Sequence, residues 1–198
     1  MFPEHQQTRT ISYRPLDWPQ DRAALLTLDT SFTTDRVYRL DRTDDRFELR
    51  AITVHPAIVK SYPFAADVDA MPGYDWAQIA EVGCDLVGVA AMSMQDWNRR
   101  AILHHLYVAT QARGMGVGGA LLAAVIKAAG ARQARCLGVE TQASNYPAVQ
   151  FYRKAGFLWS GLDTSLYDPD AVGADEIALF FSRELGDGHG GSDAGSTQ

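Results

Sequence analysis

Cysteine is scarce in this sequence, and so are long apolar runs. Only two cysteines, Cys84 and Cys136, occur in 198 residues, and neither lies in a CxxC or a histidine-containing metal spacing. A disulfide framework and a cysteine-based metal site are therefore not expected, and a reducing compartment fits. The most apolar run, "ALLAAVIKAAGA", is shorter than the ~20 residues that a membrane span needs and contains Lys127. The N-terminus, "MFPEHQQTRT", is too polar for a signal peptide, so the sequence predicts a cytoplasmic protein without a metal or a membrane partner.

Positive charge is also in the minority. Lysine and arginine number 18 against 24 aspartates and glutamates, which gives a net charge of -6. Nucleic-acid binding needs a basic face, so this balance argues against a nucleic-acid partner and is compatible with a small cationic molecule. The length suffices for one domain with a substantial core. We expect that domain over 1–185 and a flexible tail over 186–198, because "GDGHGGSDAGSTQ" has no apolar anchor.

The first half of the chain has the pattern of strands and one helix. "RTISYRPL" predicts a strand, and Asp17 is placed as the N-cap of a helix that has Pro19 in its first turn and runs to about Leu28. Apolar and polar residues alternate on both sides of 44–45, which predicts a hairpin. Residues 55–75, rich in proline, are expected to form a long, partly irregular loop.

The second half predicts further strands around two helices. A hairpin is expected around 84–85, followed by the strand "AILHHLYVAT" and a helix that ends near Ala129. "ARCLGVETQ" reads as a strand and "PAVQFYRKAGF" as a short helix ended by Gly156. Two short strands near 159–167 and 176–183 complete the domain. The pattern predicts an α+β fold with a mixed sheet.

A glycine-rich stretch, "QARGMGVGGALL", lies between a predicted strand and a predicted helix. It holds glycines at 114, 116, 118 and 119. Backbone N–H groups at a helix N-terminus bind phosphate, and glycine lets the oxygens come close. A Walker A loop is excluded because Ala120 stands where that motif has lysine.

Two other phosphate-binding motifs match this stretch. The dinucleotide fingerprint GxGxxG fits Gly114, Gly116 and Gly119, and Glu140 follows about 20 residues later. However, residues 110–113 separate the strand from the first glycine, whereas that fingerprint follows its strand almost directly. The second motif is the coenzyme A loop Arg-x-x-Gly-x-Gly/Ala, which the segment beginning at 113 matches.

The downstream segment favours the coenzyme A loop. "ETQASNYPAVQFYRKAGF" matches Asn-x-x-Ala-x-x-Phe/Tyr-Tyr-x-Lys/Arg-x-Gly-Phe. With both motifs in this order, the chain resembles the GNAT superfamily of N-acetyltransferases. Four other segments, "SFTTDRVYRL", "WNRRAILHHLYV", "GVETQASNYPAVQFY" and "GLDTSLYD", resemble its streptothricin (nourseothricin) acetyltransferases, and the likeness covers roughly 13–185.

The resemblance implies a fold, a cosubstrate and a set of binding residues. The fold is the GNAT acyl-CoA N-acyltransferase fold, a central mixed, mostly antiparallel sheet flanked by helices. The cosubstrate is acetyl-CoA, and no metal takes part. The residues implied in its binding lie on the strand, the glycine loop and the following helix: Leu106, Tyr107, Val108, Arg113, Gly114, Met115, Gly116, Val117, Gly118, Gly119, Asn145 and Tyr152.

The resemblance also suggests catalytic roles. Tyr152 is expected to protonate the departing thiolate, and a backbone N–H near Leu106 or Tyr107, freed by a bulge, to meet the oxyanion. Glu140 is a candidate general base, with a loop-pinning structural role as the alternative. His105 is a second candidate base because a histidine pKa of ~6.5 suits catalysis near neutrality. Strand alternation predicts that only one of the neighbours 104 and 105 faces the cleft.

The acceptor is the least specified part of the site. Asp35, Asp163 and Asp168 are candidate ligands for a cationic amine, with turn or cap roles as the alternative. The function implied is acetyl transfer to an amine of a streptothricin-type antibiotic, on its β-lysine, which confers resistance. Acetylation of a protein N-terminus or another amine metabolite, and a non-catalytic coenzyme A sensor, are the alternatives. A homodimer is compatible with the family.

Overall fold

A computed structural model describes residues 10–173 and 175–186. The first half of the chain forms one helix and five strands. They are β1 (Ile11–Pro15), α1 (Arg22–Leu26), β2 (Phe32–Thr43), β3 (Arg46–Lys60), β4 (Trp76–Val82) and β5 (Asp85–Gln95). Two 3-10 turns, Phe64–Ala66 and Val68–Gly73, lie between β3 and β4.

The second half carries the longer helices. Its elements are β6 (Arg100–Val108), α2 (Val117–Ala131), β7 (Cys136–Gln142), α3 (Tyr146–Lys154), β8 (Leu158–Asp163), α4 (Pro169–Val172) and β9 (Ala178–Glu184). α3 begins at the N-cap Asn145, whose side chain accepts a hydrogen bond from the Ala148 amide. After it, Gly156 adopts a φ of +83°, as expected for the residue that ends this helix.

Seven strands form the main sheet in the order β1-β4-β5-β6-β7-β9-β8. β6 and β7 pair in parallel, and all other neighbours in the described sheet are antiparallel. β2 and β3 form a separate hairpin. The prediction of an α+β fold with a mixed, mostly antiparallel sheet is confirmed.

Two apolar clusters cover the two faces of this sheet. The larger joins α2 and α3 to the inner strands through side chains such as Leu121, Val125 and Val149. The smaller places Leu25 of α1 and Met71 against Ile79 of β4. Cys136 is buried and Cys84 is exposed in its turn, and both are free thiols. No helix in the described part of the chain is long and apolar enough to cross a membrane.

β6 and β7 diverge partway along their length. Their parallel pairing runs from Arg100–Cys136 to Leu103–Val139 and then stops. On the other side of β6, the register with β5 shifts between the pairs Met92–Leu103 and Ala91–His105, so one extra residue is inserted in β6. The divergence opens the sheet at one end, and α2 begins next to this opening.

Some predicted boundaries are wrong. Residues 55–60 belong to β3, and residues 58–60 pair with β2, so the irregular loop begins only after Lys60. α1 is short and has Asp21 as its N-cap instead of Asp17; Asp17 donates its backbone N–H to the Asp21 carboxylate at 2.7 Å. Asp21 also accepts from the Arg14 guanidinium at 2.7 and 2.8 Å, an interaction between separate elements that a local pattern does not contain. The predicted tail lies, from residue 187 onward, outside the described residues.

Candidate active site

A cleft of about 910 Å³ occupies the opening between β6 and β7. Its walls also include the N-terminus of α2, the start of α3 and the loop before α4. It brings together most of the residues singled out from the sequence: His105, Leu106, Tyr107, Val108, Arg113, Gly114, Gly116, Val117, Gly118, Gly119, Glu140, Asn145 and Tyr152. Met115, which is 43% exposed, is not among the residues that line this cleft.

The N-terminus of α2 is shaped for an anion. Gly116 is its N-cap with a φ of +84°, and no side chain caps this helix end. The backbone N–H groups of the first turn are therefore available to a ligand, and the helix dipole favours a negative one. A Cβ added at Gly119 would meet no atom within 4 Å, which means that this position opens onto space. These features fit the diphosphate of a coenzyme A thioester.

Arg113 has a second role within the protein. Its Nε donates to the Val108 carbonyl at 2.9 Å, and its guanidinium also donates to the Ser31 carbonyl. Next to it, the Thr110 hydroxyl donates to Asp29 at 2.8 Å. The glycine loop is thus tied both to β6 and to the segment before β2, which fixes its position at the cleft.

The backbone of β6 has an unpaired edge in the cleft. Beyond Leu103, no residue of β7 pairs with β6 within the described sheet. The bulge lies at His104, two to three residues before the expected position at Leu106 or Tyr107. The edge of Leu106 and Tyr107 that faces β7 is nevertheless open, because the divergence of the two strands removes their partner.

Tyr152 lies at the inner end of the cleft. Its side chain is 6% exposed and packs against Phe151 and Phe157, with ring centroids 5.3 and 5.5 Å apart. Burial raises the pKa of this phenol, and the neighbouring Tyr107 acts in the same direction. The hydroxyl therefore stays protonated over the working range of pH. Such a group is available as a proton donor to a basic leaving group.

Glu140 lies on β7 where the strands have parted. It accepts a hydrogen bond from the hydroxyl of Tyr167, in the loop between β8 and α4. Burial raises the pKa of Glu140, while the hydrogen bond from Tyr167 opposes this and the nearby Glu176 adds to it. A carboxylate with a raised pKa is a stronger base than an exposed one.

Glu176 is a nearby carboxylate whose contacts are all structural. It pairs with Lys60 at 2.6 Å and accepts hydrogen bonds from the Ser144 amide and hydroxyl at 3.1 and 2.6 Å. Its side chain is 5% exposed. Glu140, in contrast, has no ion-pair partner in the described residues and lines the cleft.

Asn145 and Tyr62 connect the helix α3 to the chain before β4. The Asn145 side-chain amide caps α3 and donates to the Tyr62 hydroxyl at 2.8 Å. Tyr62 packs against Phe32 and Tyr107, with ring centroids 5.8 and 5.9 Å apart. Both residues line the cleft, where they position the wall opposite α2.

His104 and His105 both line the cleft, because the extra residue in β6 breaks the alternation expected of a regular strand. His105 is 6% exposed, and its Nε2 lies 2.8 Å from the Tyr74 hydroxyl. Burial lowers the pKa of His105 to about 4. This imidazole is therefore neutral and only weakly basic at neutral pH.

The three aspartates considered for the acceptor lie outside the lining of the cleft. Asp163 accepts hydrogen bonds from Ser165, whose backbone N–H and hydroxyl hold its pKa below the usual range. Asp168 is the N-cap of α4, and Asp35 is exposed at a register shift in β2.

The cleft is lined instead by three residues that the sequence analysis did not single out: Tyr62, Asp67 and Tyr167. Tyr62 lies in the segment "SYP", and Tyr167 lies in "GLDTSLYD". Only the fold shows which residues of these segments reach the cleft.

The chain matches the model of the acetyltransferase (GNAT) family over residues 35–157. It is 37% identical over 171 residues to the streptothricin acetyltransferase of Streptomyces lavendulae, covering 83% of this chain and 90% of that protein. Among solved structures, nourseothricin acetyltransferase superposes with a TM-score of 0.80 at 37% identity, covering 89% of this chain and 99% of the other.

A structure that contains the cosubstrate is also similar. It is a Bacillus anthracis protein, provisionally assigned as a streptothricin acetyltransferase, in complex with acetyl coenzyme A. The TM-score is 0.73 at 25% identity, with 88% of this chain and 99% of the other covered. The likeness therefore extends over nearly the full length of the relatives.

Proposed function

Because this chain belongs to the GNAT family and is an acetyl-CoA-dependent N-acetyltransferase, we propose that its acceptor is an amine of a streptothricin-type antibiotic. The amine is that of the β-lysine group, and its acetylation confers resistance. The observation that carries the proposal is the near-full-length similarity to streptothricin acetyltransferases, combined with a cleft that carries the carboxylates Glu140 and Asp67. A cytoplasmic location and a homodimer stay predictions.

We assign the cosubstrate end of the cleft to the N-terminus of α2. Acetyl-CoA supplies the acetyl group as a thioester. The unpaired N–H groups at Gly116 to Gly118 and the open position of Gly119 fit its diphosphate. The open edge of β6 at Leu106 to Val108 fits its pantetheine arm, which can pair with a strand.

Glu140 is the general base in this proposal. An alkyl ammonium has a pKa of ~10.4, so an acceptor arrives protonated and must lose a proton before it attacks. Burial brings the pKa of Glu140 closer to that of the ammonium, and the Tyr167 hydroxyl orients the carboxylate. The proton passes to Glu140, and the amine then forms the new C–N bond.

Tyr152 completes the transfer. A backbone N–H on the open edge of β6, near Leu106 or Tyr107, donates to the oxyanion that forms on the acetyl carbonyl. As the C–S bond breaks, Tyr152 gives its proton to the sulfur and recovers one from the nitrogen of the new amide. The net products are one amide, one thiol and one proton, which is released through Glu140.

The test is thiol release from acetyl-CoA by the purified protein with different acceptors. Streptothricin is expected to accelerate release, whereas peptides with a free N-terminal alanine and monoamines are expected to do so poorly. In parallel, cells that express the protein should grow on nourseothricin. Thiol release with a peptide N-terminus but not with streptothricin would show that the acceptor is a peptide and not the antibiotic. Binding of acetyl-CoA without release on any amine would favour a sensor.

A further inference from the structure

Asp67 is an unpaired carboxylate on the wall of the cleft. It lies between the two 3-10 turns that follow β3 and lines the cleft. Within the described residues, its side chain makes no capping hydrogen bond and no ion pair. Asp69, two residues later, is different: it pairs with Arg22 at 2.7 Å and does not line the cleft.

The aromatic rings of His105 and Tyr107 line the same cleft as this carboxylate, and the Tyr74 hydroxyl lies 2.8 Å from the His105 Nε2. The rings of Tyr74 and His105 lie 5.2 Å apart, and those of His105 and Tyr107 lie 5.9 Å apart. His105 contributes no positive charge at neutral pH, because burial lowers its pKa to about 4. Its Nδ1 is buried and has no partner in the described structure. A cleft that is lined by neutral aromatic rings and by an unpaired carboxylate suits an ammonium group, since cations bind to ring faces.

Tyr107 lies within reach of both cleft carboxylates. Burial raises its pKa, and the charges of Asp67 and Glu140 both add to that effect. The charge of Asp67 also acts on His105 and Tyr74, whereas that of Glu140 acts on Tyr62 and Tyr152. The cleft is thus lined by two carboxylates whose charges act on partly different neighbours.

We propose that Asp67, with the rings of His105 and Tyr107 that line the same cleft, binds a second ammonium group of the acceptor. The acceptor is then a diamine: one amine loses its proton to Glu140 and is acetylated, while the other stays charged at Asp67. This inference rests on the proposed function and specifies its substrate class.

The test compares two acceptors on three proteins. The acceptors are β-lysine amide and its analogue without the distal amine; the proteins are wild type, Asp67→Asn and the matched control Asp69→Asn. A hydrogen-bonded charge pair is worth about 10–100-fold in binding. Asp67→Asn is expected to raise the KM of the diamine by this factor and leave kcat unchanged. The KM of the monoamine should stay the same in all three proteins, and Asp69→Asn should match wild type.

The outcomes separate the subsite from the proposed function. If Asp67→Asn matches wild type with the diamine, or weakens both acceptors equally, the subsite is overturned while the proposed function stands. If wild type releases thiol with neither acceptor nor with streptothricin, the proposed function fails and the subsite fails with it. Thermal unfolding of each variant checks the fold, which the isosteric exchange at exposed Asp67 should preserve.

Discussion

At the scale of single residues, burial favours the opposite roles that we propose for Glu140 and Tyr152. It raises the pKa of both groups. For the carboxyl group of Glu140, a higher pKa means a greater affinity for the proton of the ammonium. For the phenol of Tyr152, it means that the proton is still present when the thiolate leaves. A single cause, removal from water, thus supports both a base and an acid in one cleft.

Replacement of Tyr152 by phenylalanine tests the acid. We expect kcat to fall by about 10²–10⁴-fold, the usual contribution of a general acid, with a smaller change in the KM for acetyl-CoA. The ring contacts with Phe151 and Phe157 remain, so the melting temperature should change little. An unchanged rate of the chemical step in single-turnover kinetics would contradict the assignment.

Replacement of Tyr167 by phenylalanine tests the base through its pH dependence. The Tyr167 hydroxyl donates to Glu140, which lowers the pKa of that carboxyl against the effect of burial. Without this hydrogen bond the pKa of Glu140 should rise. Glu140 then becomes protonated at a higher pH, so the acidic limb of the kcat/KM profile should move to higher pH.

The matched control is Glu140→Gln, which should lower kcat/KM and remove this limb from the profile. A Tyr167→Phe profile that coincides with wild type, or moves to lower pH, would argue against Glu140 as the base.

The sequence predicted Tyr152 and Glu140 but not their surroundings. Motif spacing places a tyrosine on α3 and a carboxylate at the end of β7, and both reach the cleft. The acceptor side could not be predicted in this way. Asp163 and Asp168 serve local turns, which depend on neighbours two residues away. Asp67 reaches the cleft only because the loop after β3 folds against β5 and β6.

At the scale of elements, we propose that the N-terminus of α2 determines where the cosubstrate binds. The helix begins beside the divergence of β6 and β7, and its first turn carries no side-chain cap. Gly116 must remain glycine on conformational grounds, because a φ of +84° strains other residues. Gly119 has no such constraint and lies open to the cleft. It is therefore the better position for testing the phosphate site.

Gly119→Leu should weaken acetyl-CoA binding by at least about tenfold, because the side chain fills the space beside the helix N-terminus. Gly130→Leu is the matched control, since it makes the same change in the same helix, also into open space, away from the cleft. Each substitution gains up to about 1 kcal/mol of helix propensity, so neither should destabilise the fold. Calorimetric titration with acetyl-CoA measures the difference. Equal affinities would contradict the phosphate site.

The order of elements could be predicted from periodicity, but two features could not. The strand β3 continues past Pro56 to Lys60 because residues 58–60 pair with residues 32–34 of β2, while Pro56 lies in the irregular stretch between the two paired parts. A proline reads as a loop signal when the partner strand is unknown. The bulge at His104 arises in the pairing of β6 with β5 and leaves no mark in the alternation of the sequence. Both features therefore depend on pairing with another strand, which a local sequence pattern does not show.

At the scale of the whole molecule, charge favours a cationic acceptor. The net charge is -6, and the cleft adds the local charges of Asp67 and Glu140. Attraction between exposed charges is screened over about 10 Å at 0.1 M salt. We expect kcat/KM for streptothricin to fall as the ionic strength rises, whereas the KM for the anionic acetyl-CoA should not change in parallel. A salt-independent kcat/KM would show that the charge of the molecule plays no part.

The most direct test of the central claim is the structure of the product. Streptothricin is incubated with the purified protein and acetyl-CoA, and the product is analysed by mass spectrometry with fragmentation. The account predicts one added acetyl group, located on the β-lysine, and much less product when Glu140→Gln replaces the wild-type protein over the same time. Unmodified streptothricin at every ionic strength, while thiol is released on another amine, would contradict the assignment of the acceptor.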